Sequence, residues 1–160
     1  MDLPANPART ADARPFGDPE PTEGEKNYVW TPVIPGTPRA DVPDLAVKRW
    51  YSAHGNTVYE VQRRIVTAAN VVHLLDGTDL VIPAARHFSP GMTSIMRVLE
   101  AGGLMDKRGM RGDIDKDQGF IDQFDTYHSR RDAYIIANLY GRIIHERNGD
   151  DEELYSEGLH

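Results

Sequence analysis

Nine of the eleven prolines in this 160-residue chain fall within its first 43 residues. There they are mixed with Asp, Glu, Gly and Thr, and no apolar period is sustained. Such a segment buries too little surface to offset the entropy of ordering it. Residues 1–44 are therefore read as a Pro-rich extended or disordered arm. Its short apolar spots, "NYVW" (27–30) and "VIP" (33–35), can dock on the rest of the chain or on a partner. Folding is left to residues 45–145, followed by an acidic C-terminal tail, 146–160.

The charge is divided in the same way. Of a formal net charge of −7, residues 1–45 carry four positive against eight negative side chains. Residues 145–160 carry one against six, and the middle carries thirteen against eleven. The folding part is thus mildly basic, with no reason to attract duplex nucleic acid over long range. The absence of cysteine excludes disulfides, thiolate catalysis and thiolate metal sites. No basic-apolar leader opens the chain, and no apolar run approaches the ~20 residues of a membrane span. These features set the expectation of a cytoplasmic protein with no membrane and no duplex nucleic acid among its partners.

The coarse pattern is α+β. "DLAVKRWYSAHGN" (44–56) reads as one short helix stopped by Gly55-Asn56. "TVYEVQRRIVTAANVVHLL" (57–75), rich in Val, Ile, Thr and Tyr, reads as a strand. Asp76-Gly77 turns a hairpin, because both residues tolerate the positive φ it requires. "DLVIPAAR" (79–86) returns, with Pro83 assigning that strand to an edge. A helix over 89–103 has Ser89 as cap, Pro90 at its first position and a Met92, Ile95, Met96, Leu99 stripe. "GFID" (119–122) is a short strand. A second helix over 129–143 opens on Ser129 and Asp132 as a capping box, buries Ala133, Ile136, Ala137 and Tyr140, and stops at Gly141. The expected fold is a small antiparallel sheet, hairpin plus short strand, packed with two helices and preceded by the extended arm.

Two helix starts attract a chemical reading. Arg86 and His87 precede the first helix, and Ser129 and Arg130 open the second. Unpaired N–H groups give a helix start positive potential, and an arginine fork beside it suits phosphate or carboxylate. Gly119 admits close approach, and Phe120 is a ring on which a base can stack. The plainer alternative has Arg86 paired with a surface carboxylate, His87 and Phe120 packed inside, Ser129 only a cap and Arg130 solvated. The acidic run "DIDKD" (113–117) lacks the later glycine and closing glutamate of a calcium loop and reads as a solvated loop. The six histidines show no metal spacing. No nucleophile, base or metal set stands out, so neither an enzyme nor a cofactor is expected.

Several motifs in order carry a resemblance: "IVTAAN" (65–70), "DG" (76–77), "AARH" (84–87), "QGFIDQFDTYHSRRDAYIIANLYGRI" (118–143) and "LYSEGL" (154–159). Over residues 62 to 159 the chain resembles a family of small bacteriophage proteins similar to the anti-Thoeris sponge proteins. Those bind cyclic ADP-ribose isomers made by bacterial TIR-domain defence enzymes without cleaving them. Some members hold cyclic oligonucleotides of the CBASS system, and they assemble as dimers or larger homo-oligomers. The resemblance implies a counter-defence protein in the cytoplasm of an infected host. It implies a small-molecule nucleotide ligand and a site drawn from Arg86, His87, Phe88, Phe120, Asp122, Gln123, Ser129 and Arg130. In that set Phe120 would stack on a ring and Arg130 would meet an anion. The chain departs from the family pattern at "ANVV" (69–72), where an arginine is missing. It departs again at Asp125, in place of a glycine, and at Arg142, in place of a glutamine. The competing expectation is a virion-associated interaction protein that docks through residues 1–44.

Overall fold

The computed structural model describes residues 23–24, 31–33, 42–51, 58–105 and 117–160. The sticky spot "NYVW" and the calcium-loop-like run lie outside them, Asp117 excepted. The chain divides into two units, Met1–Gln62 and Arg63–His160.

In the first unit, β1 (Thr31–Val33) and β2 (Val47–Tyr51) both pair antiparallel with β3 (Val58–Gln62), giving the order β1-β3-β2. This corrects the helix expected over 44–56. Among the described residues of that stretch, 44–51, Asp44–Ala46 coil as a single 3-10 turn and the chain then extends into β2. Cross-strand pairing overrides the local pattern. Trp50 stands opposite Tyr59 and stacks on it, ring centroids 5.1 Å apart. Arg49 stands opposite Glu60 and donates to it at 2.7 Å, and to Asp44 at 2.6 Å. Glu60 is buried, so the arginine is what makes its charge tolerable there.

The run 57–75, expected as one strand, is two. It breaks at Arg63-Arg64, and β4 (Ile65–His73) belongs to the second sheet. That sheet is antiparallel, β5-β4-β6-β7, with β5 at Asp79–Ala84, β6 at Gln118–Asp122 and β7 at Tyr127–Ser129. The β4–β5 hairpin turns where Asp76-Gly77 predicts. Gly77 has φ 86°, and Asp76 accepts from the Thr78 N–H at 2.8 Å. β5 is the edge strand, as Pro83 requires.

The helices start at the capped residues. α1 (Pro90–Ala101) has Ser89 as N-cap, its side chain accepting from the Met92 N–H. α2 (Arg130–Leu139) has Ser129, which accepts from the Asp132 N–H at 3.1 Å. Gly141, with φ 63°, follows its end. Met92 and Met96 of α1 pack with Val72, Ile82 and Met105. α2 buries Ala133, Ile136 and Ala137 and lies on β6, β7 and β4. The acidic C-terminal run carries a short helix, α3 (His145–Asn148), and a 3-10 turn (Ser156–Gly158). Asn148 joins them: its amide donates to the Glu153 carbonyl, and its oxygen accepts from the Tyr155 N–H, each at 2.8 Å. Leu154 is fully buried. The fold is α+β.

Gly119 sits where three parts of the second unit close in. A Cβ there would lie 2.5 Å from the Tyr127 ring and closer still to the His128 carbonyl. Backbone cannot yield as a side-chain tip does. Gly119→Ala is expected to cost about 1–3 kcal/mol or more, read as a lowered urea midpoint, whereas Gly91→Ala, with open space beside it, leaves the midpoint nearly unmoved.

Candidate functional site

The two helix starts meet. His87, in the turn between β5 and α1, accepts no bond from Gly119; its Nε2 lies 2.8 Å from the Gly119 carbonyl and must donate to it. Gly119 pairs across β6–β7 with Ser129, the cap of α2. One hydrogen bond and one strand register thus tie Arg86-His87-Phe88 to Ser129-Arg130. Burial pushes the His87 imidazole below its ordinary pKa, and the nearby Arg130 charge adds to this. The ring is neutral at physiological pH, with its proton on Nε2.

Around this junction the predicted residues take different roles. Arg86 is largely exposed and only 3.9 Å from Glu157. Phe88 adopts φ 52°, donates its N–H to the Met92 sulfur, and is 44% exposed, which leaves ring surface open to a ligand. Phe120 does not: it is 0% exposed, with the His87 ring edge-on at 5.1 Å. The stacking role implied for Phe120 therefore has no open ring face here, and the ring instead supports His87 from within the core. Arg130 is buried rather than solvated. Its guanidinium lies 3.8 Å above the Tyr155 ring and donates to the Leu154 carbonyl at 3.3 Å, with Glu153 at 3.6 Å. The Leu154 N–H returns a bond to the Arg130 carbonyl. Tyr155, Glu153 and Glu157 are members of this site that the sequence reading did not include. The "LYSEGL" motif (154–159) was the signal for Tyr155 and Glu157, since it places an aromatic and an acid in the C-terminal run; Glu153 lies just before it.

Asp122 and Gln123 lie apart from this junction, at the β6–β7 turn. The Asp122 carboxylate is buried and receives bonds from four donors: Arg63, His128 at 3.0 Å, and the N–H groups of Phe124 at 2.8 Å and Thr126 at 3.0 Å. Burial opposes its ionisation, but these donors outweigh that and hold its pKa down at about 2. Gln123 accepts from the Arg64 N–H at 2.6 Å. Both residues serve the turn. Asp125, where the resembled family has glycine, has φ 57°. This is the left-handed region that glycine occupies freely and aspartate tolerates, so the departure leaves the turn intact.

A third polar group ties three strands. His73 of β4 reaches Asp79 of β5 with Nδ1 at 2.6 Å and Asp117, beside β6, with Nε2 at 3.0 Å. Only the imidazolium donates from both nitrogens, and the two carboxylates raise its pKa accordingly. Among the described residues no group of His, Asp or Glu is arranged to hold a metal ion. No helix among them is long and apolar enough to cross a membrane.

The two clusters have opposite pH signatures. Asp122 has a lowered pKa, so its contribution is present above 3.8 and disappears as pH falls towards about 2. Asp122→Asn is expected to lower stability at neutral pH and flatten the acid limb, measured by urea unfolding at a series of pH values. His73 has a raised pKa, so its contribution is complete below about 6.5 and is lost as pH rises through its folded value. His73→Asn should therefore lower the melting temperature in mildly acidic buffer, with the gap to the parent closing in alkaline buffer.

Comparison with known families matches residues 64–160 to the model described as the phage T4 y16D protein. No curated protein and no solved structure matches the chain.

Proposed function

The chain belongs to the phage T4 y16D protein family, and from the geometry of its two helix starts we propose that it is a counter-defence protein that binds and sequesters a cyclic nucleotide second messenger without cleaving it. The ligand would be a cyclic ADP-ribose isomer or a cyclic oligonucleotide. The observation that carries this reading is the convergence of the two arginine-bearing helix starts through the His87–Gly119 bond. Phe88 supplies an open ring for a base, and Arg86 an open guanidinium for a phosphate. Neutral His87 adds a ring acceptor, Nδ1, between them. Arg130 shapes the floor while held by Tyr155 and Leu154. Sequestration needs pre-organised contacts and no reacting group.

Calorimetry of the full chain with cyclic ADP-ribose isomers and with cyclic di- and trinucleotides tests the reading. Binding is expected for at least one of them, with recovered ligand chemically unchanged. Arg86→Gln and Phe88→Ala, both at exposed side chains, should each weaken it by roughly tenfold, equivalent to about 1.4 kcal/mol. Absence of heat with every ligand at high protein concentration overturns the proposal, as does recovery of an opened or hydrolysed ligand.

A further inference from the structure

β4 carries a buried carboxamide whose oxygen accepts nothing. Asn70 is 2% exposed, and its Oδ1 has no hydrogen-bond partner among the described residues. Leaving a buried acceptor without a donor costs about 1–3 kcal/mol, so an orphan of this kind in a native interior asks for an explanation. Residues two apart on a strand, and residues paired across strands, share a face of the sheet. Asn70 therefore projects with Ala68 and Val72 of its own strand, with Ile82 opposite on β5 and Gln118 opposite on β6. This is the face that Met92 and Met96 of α1 pack against, through Val72 and Ile82.

The orphan lies directly inboard of the junction. Ala68, its neighbour on that face, stands opposite Phe120, the ring that seats His87. On the other flank, Met92 belongs to the first turn of α1 and touches both Val72 and Ile82. The Met92 sulfur also accepts the Phe88 N–H. Met92 thus stands between Asn70 and the open ring of Phe88. A methionine side chain is unbranched and adapts readily, and a thioether is a weak acceptor, so Met92 is a side chain that an entering group can displace. Phe88 itself is held at φ 52°, an unfavourable region for a bulky residue, with its carbonyl bound by the Thr93 hydroxyl. Strain of this kind persists where the surroundings fix it and clusters at ligand sites.

We propose that Asn70 is the base-selecting residue of this site, and that it takes a base with an exocyclic amino group beside a bare ring nitrogen, the arrangement of adenine and of cytosine. The inference rests on the nucleotide reading and adds to it which bases are accepted. A carboxamide presents an acceptor and a donor side by side. The amino group of such a base donates to Oδ1, and the ring nitrogen accepts from the amide N–H, the bidentate pairing by which asparagine reads adenine. Hypoxanthine and uracil carry an oxygen in place of that amino group, so acceptor would meet acceptor in a buried place. A site built around a buried polar group rejects an analogue that leaves the group unpaired. The base enters past Phe88 and displaces Met92, and its amino group supplies the donor that Oδ1 lacks in the free chain.

Calorimetry of the full chain with matched pairs of ligands tests this: cyclic di-AMP against cyclic di-IMP, cyclic di-CMP against cyclic di-UMP, and cyclic ADP-ribose isomers against their hypoxanthine counterparts. For any pair that binds, the amino form is expected to bind about tenfold tighter or more. The di-AMP and di-CMP arms tell the two bases apart. Asn70→Leu, similar in size and free of polar groups, loses no hydrogen bond from Oδ1. Its melting temperature without nucleotide should equal or exceed that of the parent, while the preference for the amino form disappears. Amino and oxo forms binding equally well to the parent chain overturn this inference and leave the nucleotide reading standing. Binding of none of the ligands overturns both. An Asn70→Leu chain that melts lower yet keeps the preference makes Asn70 a structural residue, and also overturns the inference.

Discussion

The second unit depends on a carboxylate that has been taken out of water and fully provided with donors. Asp122 ends β6, and four groups from different places converge on it. Arg63 comes from the residues preceding β4, His128 from β7, and the two N–H groups from the turn between. A buried carboxylate without these would be among the most unfavourable groups in the unit. With them, its satisfaction requires that the β6–β7 turn, the entry to β4 and the position of β7 all be native together. β7 leads directly into the Ser129 cap, so the direction in which α2 leaves the sheet follows from the same knot.

That dependence explains which parts of the fold were legible in the sequence. Ser89-Pro90, Ser129 with Asp132, and Asp76-Gly77 act on their own neighbours, and their local chemistry survives into the structure. Residues 44–51 failed as a helical reading because their outcome is decided by cross-strand partners nine and eleven residues away, Tyr59 for Trp50 and Glu60 for Arg49, which a helical pattern does not register. The break at Arg63-Arg64 is invisible for the same reason, since its partners Asp122 and Gln123 lie 59 residues on. Phe120 shows the limit at the site. A Gly-Phe pair in a short strand reads equally as ring platform or core, and only its pairing opposite Ala68 and His128 and the seating of His87 against it decide.

The site also carries its own counter-charges. Glu153 and Glu157 stand at 3.6 Å and 3.9 Å from Arg130 and Arg86. Each distance exceeds that of a good charge-assisted bond, and both acids are substantially exposed. Screened pairs of this type contribute little to stability. The two arginines differ beneath that similarity. Arg130 is held by stacking, by a carbonyl and by the reciprocal Leu154 bond, so displacing it would break the packing of the C-terminal segment. Arg86 has no such anchor among the described residues, and a phosphate there would compete with the Glu157 carboxylate at 3.9 Å. On the proposed reading, ligand-induced change would be concentrated at Arg86 and Phe88, while Arg130 adds its charge to the burial that lowers the pKa of His87.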